Sequence, residues 1–268
     1  LTLFRIAYGF SSHAVNASAN DTPVQTRFTG RLQLIGLGLL EAVDQGTIEG
    51  FAQRTGGKVP SGRFGWKATQ PTIEAQVRKA FSADMGVTNP SRRFVDRIVD
   101  YIRGIGVPIR RHPTAQANQQ PNTALRIPDA QTITDSDILA GEAAFAEAGC
   151  DGCHIPSMTT GNSHPVPQFR NITIRPFTDL LLWDMGPALC ADRGEGDATA
   201  CEWRTPPLWG TRLQAQVTGH DTFLHDGRAT TRDQAIRAHG GDAQAARDAY
   251  VNFSASKRQR LIRYLQSL

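Results

Sequence analysis

Two cysteines and a histidine form the clearest chemical signal in this 268-residue chain. Cys150, Cys153 and His154 make up a C-x-x-C-H run, a spacing at which two thiols can bond covalently to the two vinyl groups of one haem. The adjacent imidazole then serves as an axial ligand of the iron. The run predicts one haem c in this chain, with His154 as its proximal ligand.

Zinc sites and thioredoxin-like dithiols also use a C-x-x-C pair. A four-cysteine zinc site would need Cys190 and Cys201 as its second pair, but a loop of ten residues rich in Asp, Glu and Gly separates them. A zinc knuckle has about two to four residues between its cysteines. This spacing favours a disulfide that staples a polar loop, with free thiols as the alternative.

The residues before the run favour haem. Residues 135–137 supply helix-start signals. Gly141 and Phe145, four positions apart, then share one face of a helix that leads to Cys150. A glycine one turn before an aromatic residue, followed by C-x-x-C-H, is typical of the first helix of a class I cytochrome c.

Composition limits the function classes. The chain is 40% hydrophobic and 20% charged, and it is long enough for two modest domains. Its formal charge of +4 comes from scattered basic residues, which argues against nucleic-acid binding. No stretch approaches the roughly 18 apolar residues of a membrane span. Covalent haem attachment predicts a periplasmic location, and a chain that starts at Leu1 without a signal peptide is expected to be a processed or truncated product.

An internal repeat organises the rest of the chain. Residues 64–77 align without gaps on residues 223–236, and each copy predicts a turn followed by a helix capped by Thr72 or Thr231. Downstream, the helices that carry Tyr101 and Tyr264 have nearly the same register.

Each of these helices is expected to bury one apolar face. The first face consists of residues 94, 98, 101, 102 and 105, and the second of residues 261, 264, 265 and 268.

The repeat predicts a mainly α fold of two tandem cytochrome c-like units. The first unit, 1–108, lacks a C-x-x-C-H run and so its haem-attachment helix, which we expect upstream of Leu1. Residues 109–134 form a polar linker, and 135–268 form the haem-binding unit, whose last helix crosses the haem helix near Gly141. Short helices and at most one small hairpin are expected in the loop 155–215.

Seven runs from residue 34 onward resemble the di-haem cytochrome c peroxidase and MauG superfamily, in its thiol oxidoreductase or peroxidase branch. The chain is similar to the C-terminal part of such proteins. The runs span residues 34–43, 62–68, 84–89, 177–186, 202–210, 223–229 and 239–241.

The resemblance implies a second haem in the intact protein, where peroxide or another oxidant is reduced. It places Trp66 between the two haems, and it assigns Gln76 and Asp84 to the peroxide pocket, where they would move a proton. Each of the three also has a purely structural interpretation. Trp66 would be a core aromatic residue, Gln76 a solvated polar residue, and Asp84 part of a helix C-terminal turn.

The resemblance also leads us to expect a sixth iron ligand just before the second turn. His220 is our choice there, with Met185 as the alternative. His13, His112 and His164 are expected to be exposed.

We further expect His225 and His239 to make structural hydrogen bonds near the haem edge. The implied partners are a small donor protein, either a cytochrome or a cupredoxin, and peroxide; calcium between the units is left open. The rival functions are a non-catalytic electron-transfer cytochrome, a haem subunit of a larger assembly, and a haem-free interaction domain.

Overall fold

A computed structural model describes residues 33–108, 110, 135–215, 219 and 221–268. These residues are mainly helical, which confirms the predicted fold class at that level. The α-helices are α1 Leu37–Glu41, α2 Gln45–Thr55, α3 Ile73–Lys79, α4 Arg92–Arg103, α5 Ser136–Glu147, α6 Arg232–Ala238, α7 Gln244–Asn252 and α8 Ala255–Ser267. None of these described helices is long and apolar enough to cross a membrane.

Two short antiparallel strand pairs lie between α5 and α6, one more than expected. Strand β1 (Met158–Thr159) pairs with β2 (Thr173–Ile174), with Met158 opposite Ile174. Strand β3 (Leu182–Asp184) pairs with β4 (Glu202–Arg204), with Trp183 opposite Trp203.

A disulfide between Cys190 and Cys201 closes the loop that joins β3 to β4. The predicted disulfide is therefore confirmed. The bond shortens the free length of a polar segment that has little apolar surface of its own to bury.

The last helix crosses the helix before the C-x-x-C-H run at Gly141. A Cβ atom at this position would lie 2.1 Å from the carbonyl oxygen of Arg260, so only a glycine allows the two backbones to come this close. The predicted crossing is confirmed. Around it, the ring of Tyr264 packs 5.5 Å from Phe145 and 6.2 Å from Phe177, measured between centroids.

The predicted buried face of α4 is wrong in part. Phe94 is 52% exposed and Tyr101 is 45% exposed, whereas Val95, Val99 and Ile102 are buried. The helix packs against α3 and α1, and these neighbours meet a face rotated away from the predicted one.

The core around α1 to α4 includes side chains from the later part of the chain. Met158, Leu180, Leu181 and Trp209 belong to the same buried cluster as Leu40. Residues far apart in sequence therefore complete this core.

The two repeat copies have the same turn. Phe64 forms an isolated β-bridge with Gln70, and Phe223 forms one with Ala229. These two pairs occupy equivalent positions in the alignment. The predicted threonine caps are also present, since Thr72 and Thr231 each accept a hydrogen bond from a backbone N–H of the next helix at 3.1 Å.

Left-handed backbone positions also coincide in the two turns. Gly65 and its counterpart Leu224 have φ angles of 83° and 69°, and Ala68 and its counterpart Gly227 have 51° and 72°. Leucine or alanine in this region costs about 1–2 kcal/mol. Each turn therefore retains one strained non-glycine residue, and the surrounding hydrogen bonds must hold it there.

Candidate functional site

The C-x-x-C-H residues are placed together by the end of α5. Gly149 follows the helix with a φ of 76°, and a 3₁₀ turn then spans Cys150–Gly152. The backbone N–H of His154 donates to the carbonyl of Cys150 at 2.9 Å. Both thiols and the imidazole are therefore brought onto one tight turn.

This turn forms part of the wall of a cavity of about 290 Å³. Most of the wall is apolar, as is usual for a cofactor site. Two thiols, an imidazole and an apolar surround are the chemistry that a covalently bound haem requires, so the residues present fit this group. The wall includes Cys150, Cys153, His154, Phe145, Leu189, Trp203, Leu208, Leu261 and Leu265.

His154 presents the nitrogen that an iron ligand needs. Its Nδ1 lies 2.9 Å from the carbonyl oxygen of Phe177, so Nδ1 carries the proton and Nε2 is left as the acceptor. Burial lowers the pKa of His154 to about 4, which keeps the imidazole neutral near pH 7. A ligand histidine that donates its other N–H to a backbone carbonyl is held in one tautomer and orientation.

The two thiols do not have the properties of a redox dithiol or a zinc pair. Burial raises the pKa of both Cys150 and Cys153 to about 12, whereas a reactive dithiol needs an accessible thiolate. Cys190 and Cys201 are joined to each other. Within the described residues, no group of three or more His, Cys, Asp or Glu side chains could hold a metal ion.

The three residues predicted from the resemblance lie in different places. Trp66 lines the cavity, and its buried Nε1 has no hydrogen-bond partner among the described residues. Gln76 lies behind the turn, where its Oε1 would be 3.4 Å from a Cβ atom at Gly65, and it is not part of the cavity wall. Asp84 is exposed at the end of the π-helical turn that follows α3. The cavity therefore brings Trp66 alone of the three near the C-x-x-C-H turn, and the roles of Gln76 and Asp84 stay predictions.

His220, the predicted sixth ligand, lies outside the described residues, as do His13 and His112. The alternative, Met185, does line the cavity. Whether His220 or Met185 is a ligand stays a prediction.

His164 was expected to be exposed, and this is wrong. It is 5% exposed, its Nε2 lies 3.2 Å from Oε2 of Glu41, and its ring packs 5.4 Å from that of Phe169. A carboxylate from α1 thus gives a buried partner to a histidine whose local sequence is polar.

His239 also lines the cavity, and the sequence analysis predicted only a structural hydrogen bond for it. Its Nδ1 lies 2.7 Å from the carbonyl oxygen of Ala235, so its Nε2 is left as an acceptor, as in His154. The sequence signal was its place directly after α6 and before Gly240. Sequence alone does not show on which side of the helix end the ring lies.

His225 lines the cavity in a different way. Its ring stacks on Trp203 with centroids 3.6 Å apart and planes inclined by 12°. Both His225 and His239 therefore line the cavity that contains the C-x-x-C-H turn, and the predicted structural hydrogen bond is present for His239.

Residues 52–268 match a family model described as "Di-haem oxidoreductase, putative peroxidase". The match includes the C-x-x-C-H run and both repeat turns. It confirms the resemblance inferred from the sequence runs, and the family implies a haem cofactor. No curated protein and no solved structure matches the chain.

Proposed function

Since the chain belongs to the di-haem oxidoreductase family, we propose that it is a periplasmic c-type haem oxidoreductase of the peroxidase type. In this proposal a small cytochrome or cupredoxin supplies electrons, and peroxide is the oxidant that is reduced. The observation that carries it is a single apolar cavity wall that contains Cys150, Cys153 and His154 together.

The residues of this wall have separate roles. Cys150 and Cys153 would hold the haem covalently, and His154 would be its proximal ligand. Bound there, a haem supplies a one-electron redox centre. The carbonyl of Phe177 orients the imidazole of His154, and the apolar side chains exclude water, which strengthens the electrostatic interactions within the cavity.

We propose that His239 would hold the haem iron together with His154, ahead of Met185 and His220. Like His154, His239 donates Nδ1–H to a backbone carbonyl and keeps Nε2 as an acceptor. Both rings line the same cavity.

Single alanine variants of the haem-loaded protein test this assignment. We expect His239→Ala to convert a low-spin absorption spectrum to a high-spin one, because the iron would lose one of the two histidines that hold it. Met185→Ala and His220→Ala are the matched controls and should stay low-spin. A high-spin spectrum for either control variant, with a low-spin His239→Ala protein, would transfer the ligand role to that residue.

The second haem of the family would be carried on a unit with its own C-x-x-C-H run, since this sequence contains one such run. In the proposal Trp66 lies on the path between the two haems. Its support is that the first repeat turn brings Trp66 to the cavity wall. An indole at this place can serve as an intermediate for electron transfer.

The function is tested by mass measurement, a pyridine haemochrome spectrum and peroxide turnover with a reduced donor protein. We expect covalent haem in the native protein and none in a Cys150→Ala/Cys153→Ala variant, together with loss of turnover. A native chain free of haem would refute the proposal.

A non-catalytic electron-transfer cytochrome is the second candidate. It is favoured by one observation, that the sequence has a single C-x-x-C-H run, and one covalent haem is sufficient for electron transfer. Covalent haem that exchanges electrons with the donor but shows no peroxide turnover in the full-length protein would establish this candidate instead.

A further inference from the structure

Arg204 is a buried cation on the wall of the cavity. It lies at the end of β4, its side chain and backbone together are 5% exposed, and it lines the same cavity as Cys150 and His154. A charged group in such an environment requires partners, because burial of an unpaired charge is costly.

Carbonyl groups of the described residues accept hydrogen bonds from only some of the N–H groups of this guanidinium. Its Nε donates to the carbonyl of Gly65 at 3.0 Å, and its Nη1 donates to the carbonyl of Thr205 at 3.2 Å. A guanidinium carries five N–H donors, so these two bonds leave further donors of the fork for a ligand.

No carboxylate in the described part of the chain forms an ion pair with Arg204. Asp179 raises the pKa of Arg204 through its charge, but its own oxygens accept from the backbone N–H of Leu181 and from Nε1 of Trp183, both at 2.9 Å. Burial lowers the pKa of Arg204 to about 10, so the group remains positively charged at neutral pH. The cavity wall therefore presents a cation with no direct anionic partner among the residues that the structure describes.

The other arginines of the cavity wall differ in this respect. Nη1 of Arg232 lies 3.6 Å from a carboxylate oxygen of Asp221, and Nη2 of Arg247 lies 2.8 Å from one of Asp248. Both already have an acidic partner. Among the described arginines of this wall, Arg204 is the one best suited to an anion that enters with the cofactor.

We propose that Arg204 binds a propionate carboxylate of the haem and thereby connects the haem to the turn that carries Trp66. The proposal rests on the proposed function, because the carboxylate belongs to the haem inferred there. Arg204 holds this turn twice, through Nε to Gly65 and through its backbone N–H, which donates to the carbonyl of Trp66 at 3.0 Å. A guanidinium fork suits a carboxylate because it can donate two parallel hydrogen bonds. Arg204 is thus a positioning residue for the haem and for Trp66.

The propionate bending mode in the resonance Raman spectrum of the haem-loaded, full-length protein tests this contact. In Arg204→Gln the mode should shift to lower frequency, since the carboxylate loses a charged hydrogen-bond donor. The haem reduction potential should also fall, because removal of a nearby positive charge makes the ferric state more favourable. An unchanged mode in Arg204→Gln would overturn the proposal and leave Arg204 with its role at the turn.

Arg63→Gln is the matched control. Arg63 is also a largely buried arginine, and its Nη1 donates to the carbonyls of Leu40, Glu41 and Val43 at 2.6–3.2 Å. Arg63 does not line the cavity. Its variant should therefore lose stability without any shift of the propionate mode; a shift equal to that of Arg204→Gln would overturn the proposal.

Arg204→Lys keeps the test usable if Arg204→Gln does not fold. Lysine retains the charge but lacks the planar fork, so the propionate mode should shift while the potential stays near the native value. An unshifted mode in this variant would count against the contact. The haem content distinguishes failure of the proposed function from failure of the Arg204 contact. A native protein without haem overturns the proposed function. A haem-loaded Arg204 variant with an unchanged propionate mode overturns only the role of Arg204.

Discussion

Tyr101 and Tyr264 occupy nearly the same register in the two repeat copies, yet Tyr101 is 45% exposed and Tyr264 is 1% exposed. The turns before their helices share a β-bridge, a threonine cap and left-handed positions. The copies therefore share the turn and the start of the helix that follows it, α3 or α6. They differ in what packs on the tyrosine helices α4 and α8.

The difference arises from the helix that crosses each tyrosine helix. In the second copy α5 crosses α8 at Gly141, and Phe145 packs on Tyr264. In the first copy α4 packs on α1 and α3 through another face. Local sequence is thus sufficient for the turn, whereas the crossing partner decides which face of the helix is buried.

Separating the first repeat copy (residues 1–108) from the second (residues 135–268) should have the largest effect on folding. We expect a fragment of residues 1–108 to be unfolded or aggregated, because its core requires Met158, Leu180 and Trp209 from outside the fragment. A haem-loaded fragment of residues 135–268 contains all of the second buried cluster and should fold. Circular dichroism and thermal unfolding measure both, and a cooperatively folded fragment 1–108 would show that the first region is self-sufficient.

Matched tyrosine variants sharpen the same comparison. Tyr264→Ala should lower the free energy of unfolding by about 3–5 kcal/mol, as is typical for the loss of a buried aromatic side chain. Tyr101→Ala should change it by no more than about 0.5 kcal/mol, since the side chain is largely in solvent. Urea unfolding of the haem-loaded protein measures both values, and equal losses would mean that Tyr101 is covered in solution.

The residue that follows Trp66 in the first turn and His225 in the second provides a third test. Lys67 is 2% exposed, and its Nζ donates to the carbonyls of Thr199, Ala200 and Glu202 at 2.5–3.0 Å. Its counterpart in the second turn, Asp226, instead pairs with Arg228 at the surface. Lys67 therefore holds the disulfide-closed loop onto the first turn.

Lys67→Met should cost about 3 kcal/mol of stability, because buried carbonyl groups lose their donor. Lys58→Met is the control: Lys58 is bound to Glu202, but its side chain is 42% exposed, and such pairs contribute about 1 kcal/mol or less. Denaturant unfolding of the two variants should separate them. Equal losses would show that the loop is held by surface ion pairs rather than by Lys67.

Features encoded within short sequence stretches were predictable. The C-x-x-C-H turn, the threonine caps and the disulfide each depend on residues close together in the chain. The crossing at Gly141 could be predicted because a glycine before an aromatic residue on a helix indicates close approach of another helix. In each case a local pattern has few physical interpretations.

Features that depend on distant residues were not predictable. His164 is buried because Glu41, 123 positions away, provides its partner. The buried face of α4 depends on α1 and α3, and the place of His239 in the cavity wall depends on how α6 lies against the cavity. Such contacts leave no periodic signal in a single sequence.

The acceptors near the starts of α3 and α6, the helices after the two turns, differ in their expected response to pH. In the first copy Oε1 of Glu41 accepts from the backbone N–H of Ile73 at 3.0 Å. In the second copy the uncharged side chain of Gln234 accepts from the backbone N–H of Thr230 at 2.9 Å. Only the first of these acceptors can be titrated.

Burial alone would raise the pKa of Glu41, but hydrogen bonds from Arg103, Ile73 and His164 and the charge of Arg103 lower it below its ordinary value of 4.5. A carboxyl group whose pKa is lower in the folded state than in the unfolded chain stabilises the protein. The stabilisation is complete at pH values above the pKa of the unfolded chain. This contribution is lost as the pH falls through the lower pKa of the folded state, because the carboxyl group is then protonated in the folded protein as well.

We therefore expect the free energy of unfolding of the native protein to decrease as the pH is lowered below about 4.5. In Glu41→Gln this part of the pH dependence should be absent, and stability at pH 7 should be lower. Glu74→Gln, at an exposed site on α3, is the control and should keep the native profile. Chemical unfolding at a series of pH values measures the three proteins. A Glu41→Gln profile parallel to the native one would show that Glu41 does not account for the acid sensitivity of the first region.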